Sequence, residues 1–198
     1  MEIRSFLAFE LPEEIRNILR LVLDDVRKIP LDIRLVKVYN IHLTVVFLGN
    51  ITTKNLNRLH KIVKKVCHGY GPFNISLKGA GIFGGRRNPK VLWVGLTGDI
   101  EMMSHFRDTL QRQLNPFGVK PEKRRFKPHL TIGRFRKSTS IDARLDKLLS
   151  GYESLTSQEC TLGKLVLFKS NLTPSGAVYT SLNSYHLEGE NVQERPKT

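Results

Sequence analysis

The stretch Phe126-Lys127-Pro128-His129-Leu130-Thr131-Ile132 contains a His-Leu-Thr-apolar core that occurs once before, at His42-Leu43-Thr44-Val45. In an extended strand successive side chains point to opposite faces. A histidine and a threonine two residues apart therefore project together, while Leu43 and Val45, or Leu130 and Ile132, turn toward a core. Each copy presents one imidazole beside one hydroxyl. With six His and 12 Thr in 198 residues, about 0.4 His-x-Thr triplets are expected by chance, so one copy carries little weight. Two copies, each followed by an apolar residue in a strand-like run, single out His42, Thr44, His129 and Thr131.

The surroundings of the two copies are alike in order, though not in residue identity. Before the first, Ile3 to Phe9 reads as a buried strand, and Pro12 opens a helix with Glu13 and Glu14 at its positive end and Ile15, Ile18, Leu19, Val22 and Val26 as its apolar stripe. Pro30 ends that helix, Arg34 to Val38 reads as a short strand, and the motif strand runs from His42 to Leu48, closed by Gly49-Asn50. Thr52 or Thr53 is placed to cap a second helix carrying Leu56, Leu59, Ile62, Val63 and Val66. Strands over Phe73 to Phe83 and Val91 to Leu96, joined by a basic turn at residues 84–90, and a helix from Ile100 to Leu114 precede the second motif. After it come a short helix from Ile141 to Leu149 and a hairpin, Cys160 to Lys169 and Ala177 to Leu187, around the turn Asn171-Leu172-Thr173-Pro174-Ser175-Gly176. Residues 1–187 form one domain of two similar lobes on this reading, and 188–198 a flexible polar tail. Two such halves are able to set their motif strands side by side across a groove.

Thirty-two Lys plus Arg against 18 Asp plus Glu give a formal charge of +14 and a pI near 10.0, a balance suited to anionic partners such as nucleic acid. The densest positive stretch, Lys120 to Lys137, contains the second motif and a single acid, Glu122. Cys67 and Cys160 are far apart and show no Cys-x-x-Cys spacing, which argues against a disulfide framework or a thiolate zinc site. No signal-like N-terminus and no apolar run near ~18 residues is present. The chain reads as a soluble, cytoplasmic monomer.

Two imidazoles suit acid and base work at one centre, because a neutral histidine accepts a proton while a protonated one supplies it. Threonine hydroxyls beside them donate hydrogen bonds to the oxygens of a phosphate. Neither motif contains Asp or Glu, and no helical His-Glu-x-x-His is found, so no metal or other cofactor is expected. His60, His68, His105 and His186 lack such a context and read as ordinary core or surface residues. Trp93, Phe9, Phe47 and Phe126 are candidates for stacking on a base, with core packing the simpler use.

At this point the sequence resembles a known family, the RNA 2′,3′-cyclic phosphodiesterases, or 2′-5′ RNA ligases, of the 2H phosphoesterase superfamily. The likeness runs through Arg4-Ser5-Phe6-Leu7-Ala8-Phe9, Asn40 to Gly49, Pro89-Lys90-Val91-Leu92-Trp93, Phe126 to Arg134, and Leu165 to Ser170 before Tyr179-Thr180. It implies an α+β, bilobal, pseudo-duplicated fold, with two antiparallel-sheet lobes flanked by helices around a central groove. It further implies His42 as proton donor, His129 as proton acceptor, Thr44 and Thr131 as phosphate ligands, and opening of a 2′,3′-cyclic phosphate on RNA or a nucleotide to a 2′-phosphomonoester. Arg134 matches an arginine that follows the second motif and is suited to a phosphate through its planar fork. Spacing alone does not tell the two histidines apart. Joining of RNA ends as a 2′-5′ linkage is the same chemistry reversed, and a non-catalytic basic RNA-binding module is the alternative that the +14 charge leaves open.

Overall fold

The computed structural model describes residues 1–85, 87–122, 124–136, 143–174 and 176–190. Helix α1 (Glu13–Arg27) follows Pro12, carries Glu13 and Glu14 in its first turn and Arg27 in its last, and buries Ile15, Leu19, Val22, Leu23 and Val26. The charges at its two ends complement the helix dipole, and the stripe fixes which side faces the sheet. Helices α2 (Leu56–His68) and α3 (Ile100–Leu114) repeat the pattern through Leu59, Val63, Val66 and Cys67, and through Met103, Phe106, Leu110 and Leu114. A fourth described helix, α4 (Ala143–Gly151), buries Leu145.

The strands are β1 (Glu2–Phe9), β2 (Ile33–Leu35), β3 (Leu43–Thr52), β4 (Phe73–Gly85), β5 (Asn88–Gly98), β6 (His129–Phe135), β7 (Cys160–Leu162), β8 (Lys164–Thr173) and β9 (Gly176–His186). They form one sheet in the order β7-β4-β5-β6-β3-β1-β8-β9, with β2 added onto β6, and every pairing is antiparallel. Only Gly163 separates β7 from β8, which lie near opposite ends of that order. The sheet therefore curls back toward itself. Its two lobes, β7-β4-β5-β6 and β3-β1-β8-β9, meet where β3 and β6 are joined by the single pair Leu43↔Leu130. This is an α+β fold whose two antiparallel halves are joined at the motif strands, side by side as the repeat suggests.

One face of the sheet packs on the helices in a continuous core that includes Leu7, Phe9, Leu43, Leu130, Ile132, Leu165 and Leu167. Each such side chain contributes ~1.5–3 kcal/mol by leaving water. The opposite face carries a second, smaller cluster of Phe6, Ala8, Val166 and Phe168, with Tyr179 packed against it. Phe6 and Leu7 turn to different clusters, as alternation along a strand requires.

Several boundaries differ from the sequence reading. The motif strand does not stop at Gly49-Asn50: β3 continues to Thr52, and Gly49, at φ 70°, sits where the β1–β3 register shifts between Ser5 and Phe6. Neither Thr52 nor Thr53 caps α2, since the Thr53 hydroxyl donates to the Met1 carbonyl and a 3-10 turn intervenes. The strand from Arg34 to Val38 is the shorter β2 followed by a 3-10 turn, Val38–Asn40. Cross-strand pairing absorbs most of both expected turns: Gly84↔Pro89 and Gly85↔Asn88 close β4–β5, and Leu172↔Ala177 and Thr173↔Gly176 close β8–β9. Residues 141 and 142, the expected start of the fourth helix, lie outside the described residues. So does most of the expected tail, 191–198, whereas the Gly189 N–H donates to the Tyr70 carbonyl and Glu188 pairs with His68 at 2.8 Å.

Candidate active site

Leu43 and Leu130 are both fully buried. Antiparallel pairing about them sets residue 42 across from 131 and 44 across from 129. All four motif side chains therefore lie on the sheet face away from the helices. Thr44 and Thr131 are half-buried, and neither hydroxyl is spent on a protein partner among the described residues.

The two histidines are held in the same way. His42 Nδ1 lies 2.7 Å from the Asn40 carbonyl oxygen, and His129 Nδ1 lies 2.8 Å from that of Lys127. A carbonyl only accepts, so Nδ1 carries a proton in each ring, and each Nε2 remains for chemistry in the space the motifs share. Both imidazoles are held below the usual histidine range, first because burial disfavours the charged form, and then because Arg134 lies near. The carbonyl contacts oppose this, and His129 adds to the effect on His42.

Their flanks are not alike. The Phe6 ring stacks on His42 with centroids 4.8 Å apart and planes at 27°, and Tyr179 meets His42 edge-on at 5.2 Å. Phe168 closes the box, 5.3 Å from Phe6. His129 instead meets Phe83 edge-on at 4.8 Å, with Trp93 behind it, 5.4 Å from Phe83. On α3, buried Arg107 pairs with Asp108 at 2.6 Å and places its guanidinium 4.8 Å from the Phe126 ring, steadying the approach to β6.

Arg134 is exposed on β6, directly across from Arg34 on β2. Together with His42, Asn40, Phe168 and Tyr179, the two arginines line an open groove of about 730 Å³. His42 and Arg134 are thus walls of this groove, whereas Thr44, His129 and Thr131 reach the same face through strand register. Among the described residues no three His, Cys, Asp or Glu side chains converge as metal ligands. No helix there is long and apolar enough to cross a membrane.

The sequence reading missed Phe6, Tyr179 and Phe83 as ring partners, and the carbonyls of Asn40 and Lys127 as the groups that fix the rings. The carbonyls had a signal, each lying two residues before its histidine. Of the aromatics singled out, Phe9 is in the main core, Phe126 lies against Arg107, Trp93 packs on Phe83 and Phe47 is 65% exposed.

In sequence and in fold the chain is similar to known proteins. An RNA 2′,3′-cyclic phosphodiesterase of Methanothermobacter thermautotrophicus is 30% identical over 187 residues, covering 94% of this chain and 100% of the relative. A protein of the same name from Aquifex aeolicus is 28% identical, covering 94% and 98%. A crystal structure of a Thermus thermophilus protein superposes with a TM-score of 0.78 at 25% identity, covering 94% of this chain and 99% of that one. The family model described as the 2′-5′ RNA ligase superfamily matches residues 23–173, and the chain belongs to that family.

Proposed function

We propose that this chain hydrolyses RNA 2′,3′-cyclic phosphate ends to 2′-phosphomonoesters by a two-histidine acid and base mechanism that needs no metal. The carrying observation is the pairing of two His/Thr sets about Leu43↔Leu130, each imidazole held through Nδ1 by a backbone carbonyl. The names of the full-length relatives point to the same substrate. His129 Nε2 takes a proton from water as its oxygen attacks phosphorus. The bond from phosphorus to the ribose 3′-oxygen breaks, and protonated His42 gives its Nε2 proton to that oxygen. The assignment of acid and base follows the family resemblance. Thr44 and Thr131 donate hydrogen bonds to the non-bridging oxygens as charge builds on them, and Arg134 supplies a fixed positive charge.

The test is a short RNA ending in a 2′,3′-cyclic phosphate, incubated in EDTA with wild type, His42→Ala and His129→Ala. Wild type is expected to yield a 2′-phosphate, and each variant to lose about 10²- to 10⁴-fold in rate while staying folded. Turnover retained in both variants sinks the mechanism, and loss of wild-type activity in EDTA sinks its metal independence. A ligation yield above hydrolysis in dilute solution makes the reverse reaction the main one. No turnover by folded wild type, with RNA affinity that falls steeply with salt, would favour the binding-module reading motivated by the +14 charge.

A further inference from the structure

We propose that the open end of the groove is a subsite for the nucleotide on the 5′ side of the cyclic phosphate, with its base on Tyr39 and the joining phosphodiester at Arg34 and Lys37. The proposal rests on the RNA-end reading above. Three large apolar side chains stand exposed on the walls of this groove: Tyr39 at 63%, Leu172 at 69% and Val178 at 50%. They belong to two segments that are tied together. Arg34 Nη2 donates to the Pro174 carbonyl at 2.8 Å, and Asn40 Nδ2 donates to the Ala177 carbonyl at 3.0 Å. Tyr39 and Val178 each stand next to one end of the Asn40–Ala177 bond, and both line the groove, whose two segments these bonds tie into one slot. Gly176, at φ 134°, lets the hairpin come this close, since a Cβ there would stand 3.3 Å from Arg34 Nη2.

The charge of the slot calls for an anion. Arg34 and Arg134 are directly opposed across β2 and β6, an arrangement that like charges destabilise unless something negative lies between or beside them. Glu10, the one acid of the groove wall among the described residues, is taken up by Lys164 at 3.4 Å. Lys37 Nζ stands 5.7 Å from the Tyr39 ring centroid, so a cation accompanies the exposed ring. A flat apolar surface with cations beside it is the chemistry that holds single-stranded RNA, through base stacking and phosphate contacts. The side of the groove at His42 is walled by Phe6, Phe168 and Tyr179. A strand whose terminal ribose is fixed there leaves by way of Tyr39.

The experiment compares steady-state hydrolysis of adenosine 2′,3′-cyclic phosphate with that of the adenosine dinucleotide ending in a 2′,3′-cyclic phosphate, for wild type, Tyr39→Ala and Tyr39→Phe. Tyr39→Ala is expected to lower kcat/KM for the dinucleotide about 5- to 30-fold, the lower part of the range for losing one base–aromatic stack. The loss should appear in KM, should spare the mononucleotide and should be restored by Tyr39→Phe. Equal kinetics of Tyr39→Ala and wild type on the dinucleotide would overturn the subsite, as would an equal loss on both substrates. Hydrolysis of neither substrate by wild type would instead remove the activity reading. The slot is then judged by binding of a labelled single-stranded RNA, where equal affinity of wild type and Tyr39→Ala overturns it.

Discussion

Phe6→Ala separates what the aromatic box does for the fold from what it does for His42. Phe6 is only 3% exposed and has ring contacts with His42, Phe47, Phe168 and Tyr179. Truncating a buried phenylalanine costs ~3–5 kcal/mol. The cluster is small and borders an open groove, so water can fill part of the space, and the lower end, about 3 kcal/mol, applies. In a domain of this size that lowers Tm by roughly 6–12 °C. The effect on His42 has two opposing parts. The stacked ring favours the imidazolium, whereas exclusion of water disfavours it, and the net direction is downward with burial as the largest cause. Admitting water therefore raises the His42 pKa toward its ordinary value. A raised pKa keeps the proposed acid protonated to higher pH, so the alkaline limb of the kcat/KM profile moves up. Phe6→Leu, which refills most of the volume without a ring, should lose less stability and leave that limb near its wild-type position. Thermal melts and pH–rate profiles of the two variants decide the matter. An alkaline limb that stays put in a destabilised Phe6→Ala, or moves to lower pH, refutes burial as the cause.

Arg134→Gln removes a positive charge that lowers both histidines, so both limbs of the profile should move to higher pH while KM rises about 10-fold, the low end for an exposed charge-assisted contact. An unmoved profile in pH-dependent kinetics would place Arg134 outside the electrostatics of the site. Thr131→Val keeps the shape of the side chain and deletes the hydroxyl; single-turnover rates should fall about 10²-fold, with Thr131→Ser recovering most of the loss. A Val variant as fast as wild type removes that hydroxyl from the transition state.

What the sequence made legible follows from how local each signal is. The two His/Thr pairs were readable because strand alternation is a property of adjacent residues, and the seam at Leu43↔Leu130 then needed only that the two strands meet. The ring on His42 was not readable in that way. Ile3 to Phe9 is almost wholly apolar, and which of Phe6 and Phe9 turns to the groove depends on the register shifts after Ser5 and Leu7, which pairing with β3 imposes. Phe9 was singled out and Phe6 was not. Residues 160–169 likewise read as one strand, but Gly163 divides them between β4 at one end of the sheet and β1 toward the other. That division is set by sheet order, which no ten-residue window contains.

The near-symmetry of the motifs raises a chemical question that the charge of the substrate answers. Two identical imidazoles, both depressed and both under Arg134, would be mostly neutral together near pH 7, and a site with two bases and no acid does not turn over. His129 adds a smaller push in the same direction on His42. A cyclic phosphate is an anion. Seated between the rings and beside Arg134, it offsets the positive charge that kept protons off and favours the uptake of one. The flanks of the rings pull in more than one direction: Phe6 lies face-on to His42, where it attracts a cation but also excludes water, whereas Phe83 meets His129 edge-on. Under the proposed mechanism the ring that takes this proton is His42 and His129 stays neutral as the base, an assignment carried by the family resemblance. Under the proposed mechanism the substrate's own charge arms the acid, which reconciles two depressed histidines with a reaction that needs one of them protonated.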